Sequence, residues 1–286
     1  MKRSTIRSLG RFLPESFRHR AKEHFLRQSI TGVTTRIELD ESPSGLVCRI
    51  DDTFSFFAPL AAKNDLRHYA TSPEGRAEFG ALARVARDTG GVLFDIGAHC
   101  GLVSALWCAA RPDNRAFSFE PSPSLSRRLS EIRELNQFGE RMTLNQVGIG
   151  AVNGTAAMLM DPVGGFVQSR HFDHTMWSAP QSIEVPIETI QAAAERLNAI
   201  PNCVKIDIEG YEYEAIKGSS EFLALHRPVL FLELHLNYLE QRKLGARDVV
   251  ELLQECGYAF FTYGGTELRA SDVYESPLAI YHLVAR

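Results

Sequence analysis

The chain has 286 residues, 44% of them apolar and 23% charged, with 21 glycines; this supports a real core in one large domain or two small ones and excludes collagenous, disordered and disulfide-scaffold classes. Its formal charge is −4, yet residues 1–28 hold eight Lys/Arg against two Glu, so an arm of +6 precedes 258 residues carrying −10. A body of that sign does not bind nucleic acid in bulk.

In the basic arm, residues 1–30, Ile6, Leu9 and Leu13 share one helical face before Pro14, and Phe17, Ala21 and Phe25 resume at a spacing of four, which predicts two short amphipathic helices. The arm either packs on the domain or a subunit with its arginines solvated, or docks residues 1–28 weakly on an anionic membrane surface or another subunit. Arg11, Pro14 and Glu15 break the apolar run that a signal peptide needs, so a cytoplasmic protein that keeps its N-terminus is expected.

Residues 31–90 are expected to precede the core as a hairpin and a helix. Strand-like runs at 35–39 and 46–50 flank a Ser42-Pro43-Ser44-Gly45 turn, and a helix capped by Ser72-Pro73 presents Phe79, Leu82 and Ala86 before Gly90-Gly91 stops it. From 91 to 286 short apolar strands alternate with helices, the pattern of parallel βαβ construction, and the class is α/β. Strands are predicted at 92–96, 116–120, 143–147, 203–208 and 228–235, with helices at 102–110, 123–136 and 211–217. A helix at 246–255 and strands around 258–263 and 279–285 finish the sheet with an antiparallel pair.

The longest charge-free apolar stretch, 96–110, is too short to span a membrane. The five cysteines, Cys48, Cys100, Cys108, Cys203 and Cys256, never form a C-x-x-C pair and read as reduced, mostly buried thiols.

Chemistry concentrates where strands end. The first of these points is Asp95-Ile96-Gly97-Ala98-His99-Cys100-Gly101, a strand running into a glycine turn that opens a helix. Such a turn lets a ligand lie against backbone whose amides point at it. The next strand ends in Glu120, placed to accept hydrogen bonds from two ribose hydroxyls, so an adenosine cofactor fits; a tight corner without a ligand is the alternative. His99 stands where a dinucleotide fingerprint has its second glycine, and Asp95 can balance the positive end of a methionine moiety. S-adenosylmethionine therefore fits better than NAD.

The second point is Lys205-Ile206-Asp207-Ile208-Glu209-Gly210-Tyr211-Glu212, where alternation along a strand puts Lys205, Asp207 and Glu209 on one face at the carboxyl end of the sheet. The third is Glu233-Leu234-His235 at the next strand end, with His235 a candidate base near neutral pH. A structural ion network, and a structural histidine, are the competing readings of these two. His171 and His174 have metal-like spacing but no third ligand, and no metal site is expected.

The pairing of the D-x-G-A-x-x-G turn with the Lys205 to Glu212 segment resembles the FkbM family of S-adenosylmethionine-dependent methyltransferases. The resemblance extends to Phe119-Glu120-Pro121-Ser122, to Asn145-Gln146-Val147-Gly148-Ile149-Gly150 and to Glu233-Leu234-His235, and departs from the family pattern at His99, where Asn is usual. It implies a class I methyltransferase-like (Rossmann-like) mostly parallel sheet and a small-molecule or glycan hydroxyl as acceptor. The cofactor site it implies comprises Asp95, Gly97, His99, Gly101, Glu120, Pro121, Ser122, Val147 and Gly148. The catalytic candidates are Asp207, Glu209, His235 and Lys205. The stretch 161–186 reads as an irregular insertion or lid. A nicotinamide-dependent oxidoreductase and a non-catalytic adenosine-binding module are the competing functions.

Overall fold

The computed structural model describes residues 35–160, 165–167, 181–274, 276, 278 and 280–286. The basic arm lies outside the described residues, as does most of 161–186.

Strands β1 (Ile37–Ser42), β2 (Gly45–Ile50) and β3 (Phe54–Ala58) form an antiparallel sheet. The first two are the expected hairpin. The third continues it because Phe56 and Ala58, two apart, both turn into the core. A helix at Lys63–Thr71 and a longer one at Pro73–Asp88 follow. The second begins as its sequence dictates, with Ser72 Oγ accepting the Gly75 N–H at 2.9 Å and Pro73 in the first turn. Its buried face carries Phe79, Leu82 and Ala86, and also Glu78.

The remaining strands are β4 (Val92–Ile96), β5 (Arg115–Phe119), β6 (Met142–Asn145), β7 (Gly148–Ile149), β8 (Gly154–Met160), β9 (Gly165–Val167), β10 (Gln181–Glu188), β11 (Cys203–Ile206), β12 (Val229–His235), β13 (Phe260–Phe261), β14 (Glu267–Leu268) and β15 (Ile280–Ala285). Eight of them build the central sheet in the order β14-β13-β15-β12-β11-β4-β5-β6. From β6 to β12 the neighbours are parallel, and β15 runs antiparallel to both β12 and β13. This is the α/β, mostly parallel sheet with antiparallel C-terminal strands that the sequence predicts. Strand order reverses between β4 and β11, so a crevice opens at their carboxyl ends, where open α/β sheets bind ligands.

Apolar side chains cover both faces of the sheet. Phe56, Phe79, Leu93 and Trp107 belong to the cluster on one side; Phe94, Phe119, Val204 and Leu232 belong to that on the other. Buried Asn114 ties the first side together: its Nδ2 donates to the carbonyls of Ala86 at 3.0 Å and Trp107 at 2.8 Å, and its Oδ1 accepts the Gly91 N–H at 2.9 Å. Asn114→Ala is expected to lower unfolding free energy by about 2 to 4 kcal/mol, because three backbone groups lose their partner at once. Urea denaturation checks this, and a loss under about 1 kcal/mol would show that water replaces the amide.

Two strands beside the crevice end two residues earlier than the sequence predicts. The run 203–208 leaves the sheet after Ile206, and the chain beyond it turns at Glu209 and Gly210, whose φ of +54° and +95° lie outside the extended region. Asp207 and Glu209 therefore do not share a strand face with Lys205; a loop presents them. The run 143–147 ends at Asn145.

The stretch expected to be irregular has strands at its described parts: β9, and β10 from Gln181 onward, in a four-stranded sheet of order β7-β10-β8-β9. Alternating Ile183, Val185 and Ile187 give β10 its register on β8. All five cysteines are free and buried. Among the described residues no helix is long and apolar enough to cross a membrane.

Candidate active site

The glycine turn after β4 forms because three of its residues occupy the left-handed region: Gly97 at φ +77°, His99 at +51° and Gly101 at +87°. Histidine and asparagine are among the side chains that tolerate this conformation best, which explains how His99 stands where the family pattern has Asn. Gly97 packs so close to the exit of β11 that a Cβ would lie 1.8 Å from the Asp207 carbonyl oxygen.

Glu120, buried just past the end of β5, fastens the turn. Its Oε2 accepts the His99 N–H at 3.0 Å and its Oε1 the Ser122 N–H at 2.9 Å. Burial pushes its carboxyl up to about 7 against the pull of those two donors, and the charges of Asp95 and Asp207 push the same way. Asp95 is also buried. Its Oδ2 accepts from Ser104 N at 3.1 Å and Ser104 Oγ at 2.6 Å, while its Oδ1 has no hydrogen-bond partner.

A cavity of about 510 Å³ opens over this turn, and its walls include Gly97, His99, Glu120, Pro121, Leu125, Gly148 and Ile149 together with Asp207, Glu209 and Tyr211. A chamber of about 180 Å³ lies beside it, lined by Asp95, Lys205 and Asp207 together with Asp65, His68 and Tyr69. Of the predicted cofactor residues, Gly97, His99, Glu120, Pro121 and Gly148 line the main cavity and Asp95 the chamber. Gly101, Ser122 and Val147 line neither. Gly101 caps the helix at Leu102–Ala110 and packs on Leu129, Ser122 acts through its N–H on Glu120, and Val147 packs into the core.

The four predicted catalytic candidates do meet. Lys205 pairs in register with Asp95 across β11 and β4, and its buried Nζ donates to Asp207 Oδ2 at 2.8 Å. Burial alone would depress this ammonium, but Asp207, Glu78, Asp95 and Glu233 hold it well above its ordinary value. Burial likewise opposes the Asp207 charge, yet Lys205 and His235 keep that carboxyl below the usual range.

His235, buried at the end of β12, has its Nδ1 3.0 Å from Glu212 Oε1 and its Nε2 3.2 Å from Glu209, 3.6 Å from Glu233 and 4.0 Å from Asp207. Burial works against its charge, but the Glu212 hydrogen bond and the charges of Glu209, Glu212 and Asp207 raise it to about 9. At neutral pH the ring is thus a cation among carboxylates rather than a free base. Burial and the Asp207 charge push Glu233 up to about 8, and burial raises Glu209 more mildly.

Several contributors were not among the predicted site residues. Glu212 closes the K-x-D-x-E-G-x-E segment and was legible there. Glu78 sat unnoticed within the apolar face of its helix, and His282 on β15 carried no local signal; its Nδ1 lies 3.7 Å from Glu233. Arg242 holds the loop beyond β11 by donating to the Gly210 carbonyl and to Glu214, with its guanidinium 3.8 Å from the centre of the Tyr211 ring.

The family profile described as "Methyltransferase FkbM domain" matches residues 95–260. No curated protein matches the chain. Among solved structures, it is similar to a methyltransferase FkbM from Methylobacillus flagellatus KT, at 17% identity and a TM-score of 0.42, over 68% of this chain and 43% of that one. It is also similar to a precorrin-6y C5,15-methyltransferase from Geobacter metallireducens GS-15, at 16% identity and a TM-score of 0.40, over 75% of this chain and 88% of that one. The chain spans less than half the length of the Methylobacillus protein.

Proposed function

This chain belongs to the FkbM methyltransferase family, and from that premise we propose that it carries a methyl group from S-adenosylmethionine to a hydroxyl of a sugar or secondary-metabolite acceptor. The observation that carries the reading is the 510 Å³ cavity over the glycine turn, whose wall brings together the Glu120, Asp207 and Glu209 carboxylates. Three features suit the cofactor. Gly97 lets the turn close against the Asp207 carbonyl at the cavity wall, Glu120 lines the cavity where ribose hydroxyls would donate, and the orphaned Asp95 Oδ1 matches an ammonium group.

S-adenosylmethionine supplies a methyl already activated on a sulfonium. The chain's own part is to align an acceptor oxygen and to receive its proton. Glu209 is the carboxylate best placed to take that proton, since it lines the cavity and its side chain is 42% exposed. Asp207 would position the hydroxyl, Lys205 would keep Asp207 ionised, and His235 would hold Glu209 in place. Incubation with labelled S-adenosylmethionine and a metabolite extract tests the reading. An acceptor that gains about 14 mass units on oxygen is the expected product, and methylation confined to nitrogen or carbon would overturn it.

Glu120→Ala is expected to weaken binding of S-adenosylhomocysteine by about 1 to 3 kcal/mol, the value of charged hydrogen bonds lost from a buried site. Binding to the unaltered protein should also release protons. Near pH 7 the Glu120 carboxyl, raised to about 7, is partly protonated, and ribose donors favour the ionised form. Affinity should therefore rise from pH 6 to 8, with a calorimetric enthalpy that depends on the buffer; equal heats in phosphate and Tris would remove Glu120 from the contact. In the free protein the same shift contributes stability below the ordinary carboxyl value of 4.5, and that contribution is lost as pH rises through about 7.

A further inference from the structure

Strand alternation lays a row of polar side chains on one face of the central sheet. Leu93, Cys203, Phe231 and Val284 belong to the apolar cluster on that face, and Asp95, Lys205, Glu233 and His282, each two residues from one of them, share it. Register sets Asp95 beside Lys205 and Glu233 beside His282. The helix at Pro73–Asp88 packs Ala77, Phe79 and Leu82 into the same cluster, and among them it carries Glu78.

Glu78 is poorly satisfied where it stands. It is only 5% exposed, its Oε1 has no hydrogen-bond partner among the described residues, and burial pushes its carboxyl up to about 7 although Lys205 pulls the other way. A buried acid in this condition costs stability, and an apolar side chain of similar volume would cost less. Lys205 does not need it for neutrality either. Asp207 Oδ2 accepts from its Nζ at 2.8 Å, and Asp95 and Glu233 add their charges.

What Glu78 does supply is a second anchor. Its Oε1 lies 3.9 Å from Lys205 Nζ, so the ammonium stands within reach of two carboxylates, one from the helix and one from the loop beyond β11. A lysine head is a compact charge on a flexible four-carbon stem, and a single contact leaves it free to swing. Held from both sides, it keeps Asp207 Oδ2 occupied while Oδ1 lies 4.0 Å from His235 Nε2, with the carboxylate in the cavity wall.

We infer that Glu78 is a positioning residue, which through Lys205 fixes the Asp207 carboxylate at the cavity wall. Glu78 itself lines neither the cavity nor the chamber beside it. It also precedes the region 95–260 matched by the family profile, so that match gives it no role. The inference rests on the methyltransferase reading, in which Asp207 orients the acceptor hydroxyl.

The test compares Glu78→Met and Glu78→Gln with the unaltered full chain. Rate is read as transfer of labelled methyl from saturating S-adenosylmethionine to the metabolite extract, affinity by calorimetry with S-adenosylhomocysteine, and fold by thermal unfolding. Glu78→Met should lose at least about tenfold in rate, as a displaced orienting group does. Its affinity should stay within about threefold, and its unfolding temperature should equal or exceed that of the unaltered protein. Glu78→Gln keeps an oxygen toward the ammonium and should lose less, about twofold or more. Because the effect runs through Asp207, adding Glu78→Met to Asp207→Asn should cost no more than about twofold beyond Asp207→Asn alone. Undiminished rate in a folded Glu78→Met protein overturns the role, and so does a loss that multiplies in full with that of Asp207→Asn. If Glu78→Met does not fold, Glu78→Gln decides: a folded protein with reduced rate and unchanged affinity supports the role, and full rate overturns it. Loss of the fold in both variants makes Glu78 structural and overturns it too. When the unaltered chain binds the cofactor product and transfers label, these failures strike the role of Glu78 alone; when it does neither, the methyltransferase reading falls and the role falls with it.

Discussion

Replacing Gly97 with alanine is expected to remove measurable binding of S-adenosylhomocysteine and to destabilise the fold by about 3 kcal/mol or more. Two penalties combine. The residue sits at φ +77°, and its new Cβ would lie 1.8 Å from a backbone oxygen, the carbonyl of Asp207. That carbonyl has little freedom, because Asp207 N–H donates to Ile96 O at 3.1 Å and Gly97 N–H donates to Phe119 O at 3.0 Å. Relief must come from moving the turn away from Glu120 or moving the loop that presents Asp207 and Glu209. Gly139→Ala is the matched control, with a φ of +56° and nothing within 4 Å of the added carbon. It should cost only about 1 kcal/mol of strain. If the two variants unfold at the same denaturant concentration and both bind the cofactor product, the close approach of Gly97 to β11 is not what shapes the site.

The second large effect concerns turnover. Glu209→Gln and Asp207→Asn should each lower kcat by about 10² to 10⁴, the range of a lost general base or orienting charge, while cofactor affinity stays within about threefold. The split follows from geometry. Both side chains line the cavity, and neither bonds to Glu120, whose oxygens accept from His99 and Ser122, so they are expected to act on the acceptor and to contribute little to nucleoside binding. Asp207→Asn also leaves Lys205 facing a neutral amide at 2.8 Å, so its thermal unfolding must be recorded beside its kinetics. Rapid-quench turnover with a methylated acceptor reads kcat, and calorimetry reads affinity. Full turnover in both folded variants would make the pair an ion network that closes the strand end, and proton removal would belong to other groups.

What the sequence made legible was local. Strand β4, its glycine turn and Glu120 could be read because left-handed residues and a strand-end acid follow one another within a single βαβ unit. The helix at Pro73–Asp88 announced itself by its Ser72-Pro73 cap. Asp207 and Glu209 were found for a reason that did not hold: strand alternation was invoked, but the strand ends at Ile206 and the chain turns at Glu209 and Gly210. The carboxylates still reach the crevice because Arg242 and the Gly97 contact hold that loop. Glu78 and His282 were out of reach, since one is a single charge on an apolar helix face and the other lies on a strand far along the chain. Only tertiary packing brings both to Glu233.

The place of β15 in the sheet bears on how the protein is made. It inserts between β12 and β13, so β12 has only β11 and β13 has only β14 as a neighbour until residues 280–285 have left the ribosome. During that interval β12, with the sequence Val-Leu-Phe-Leu-Glu-Leu-His, is an open apolar edge next to an already paired β11. Edges of that kind recruit strands from other chains. Synthesis at low temperature, or with chaperones that shield such an edge, should raise the yield of dispersed protein far more than any change on the finished surface.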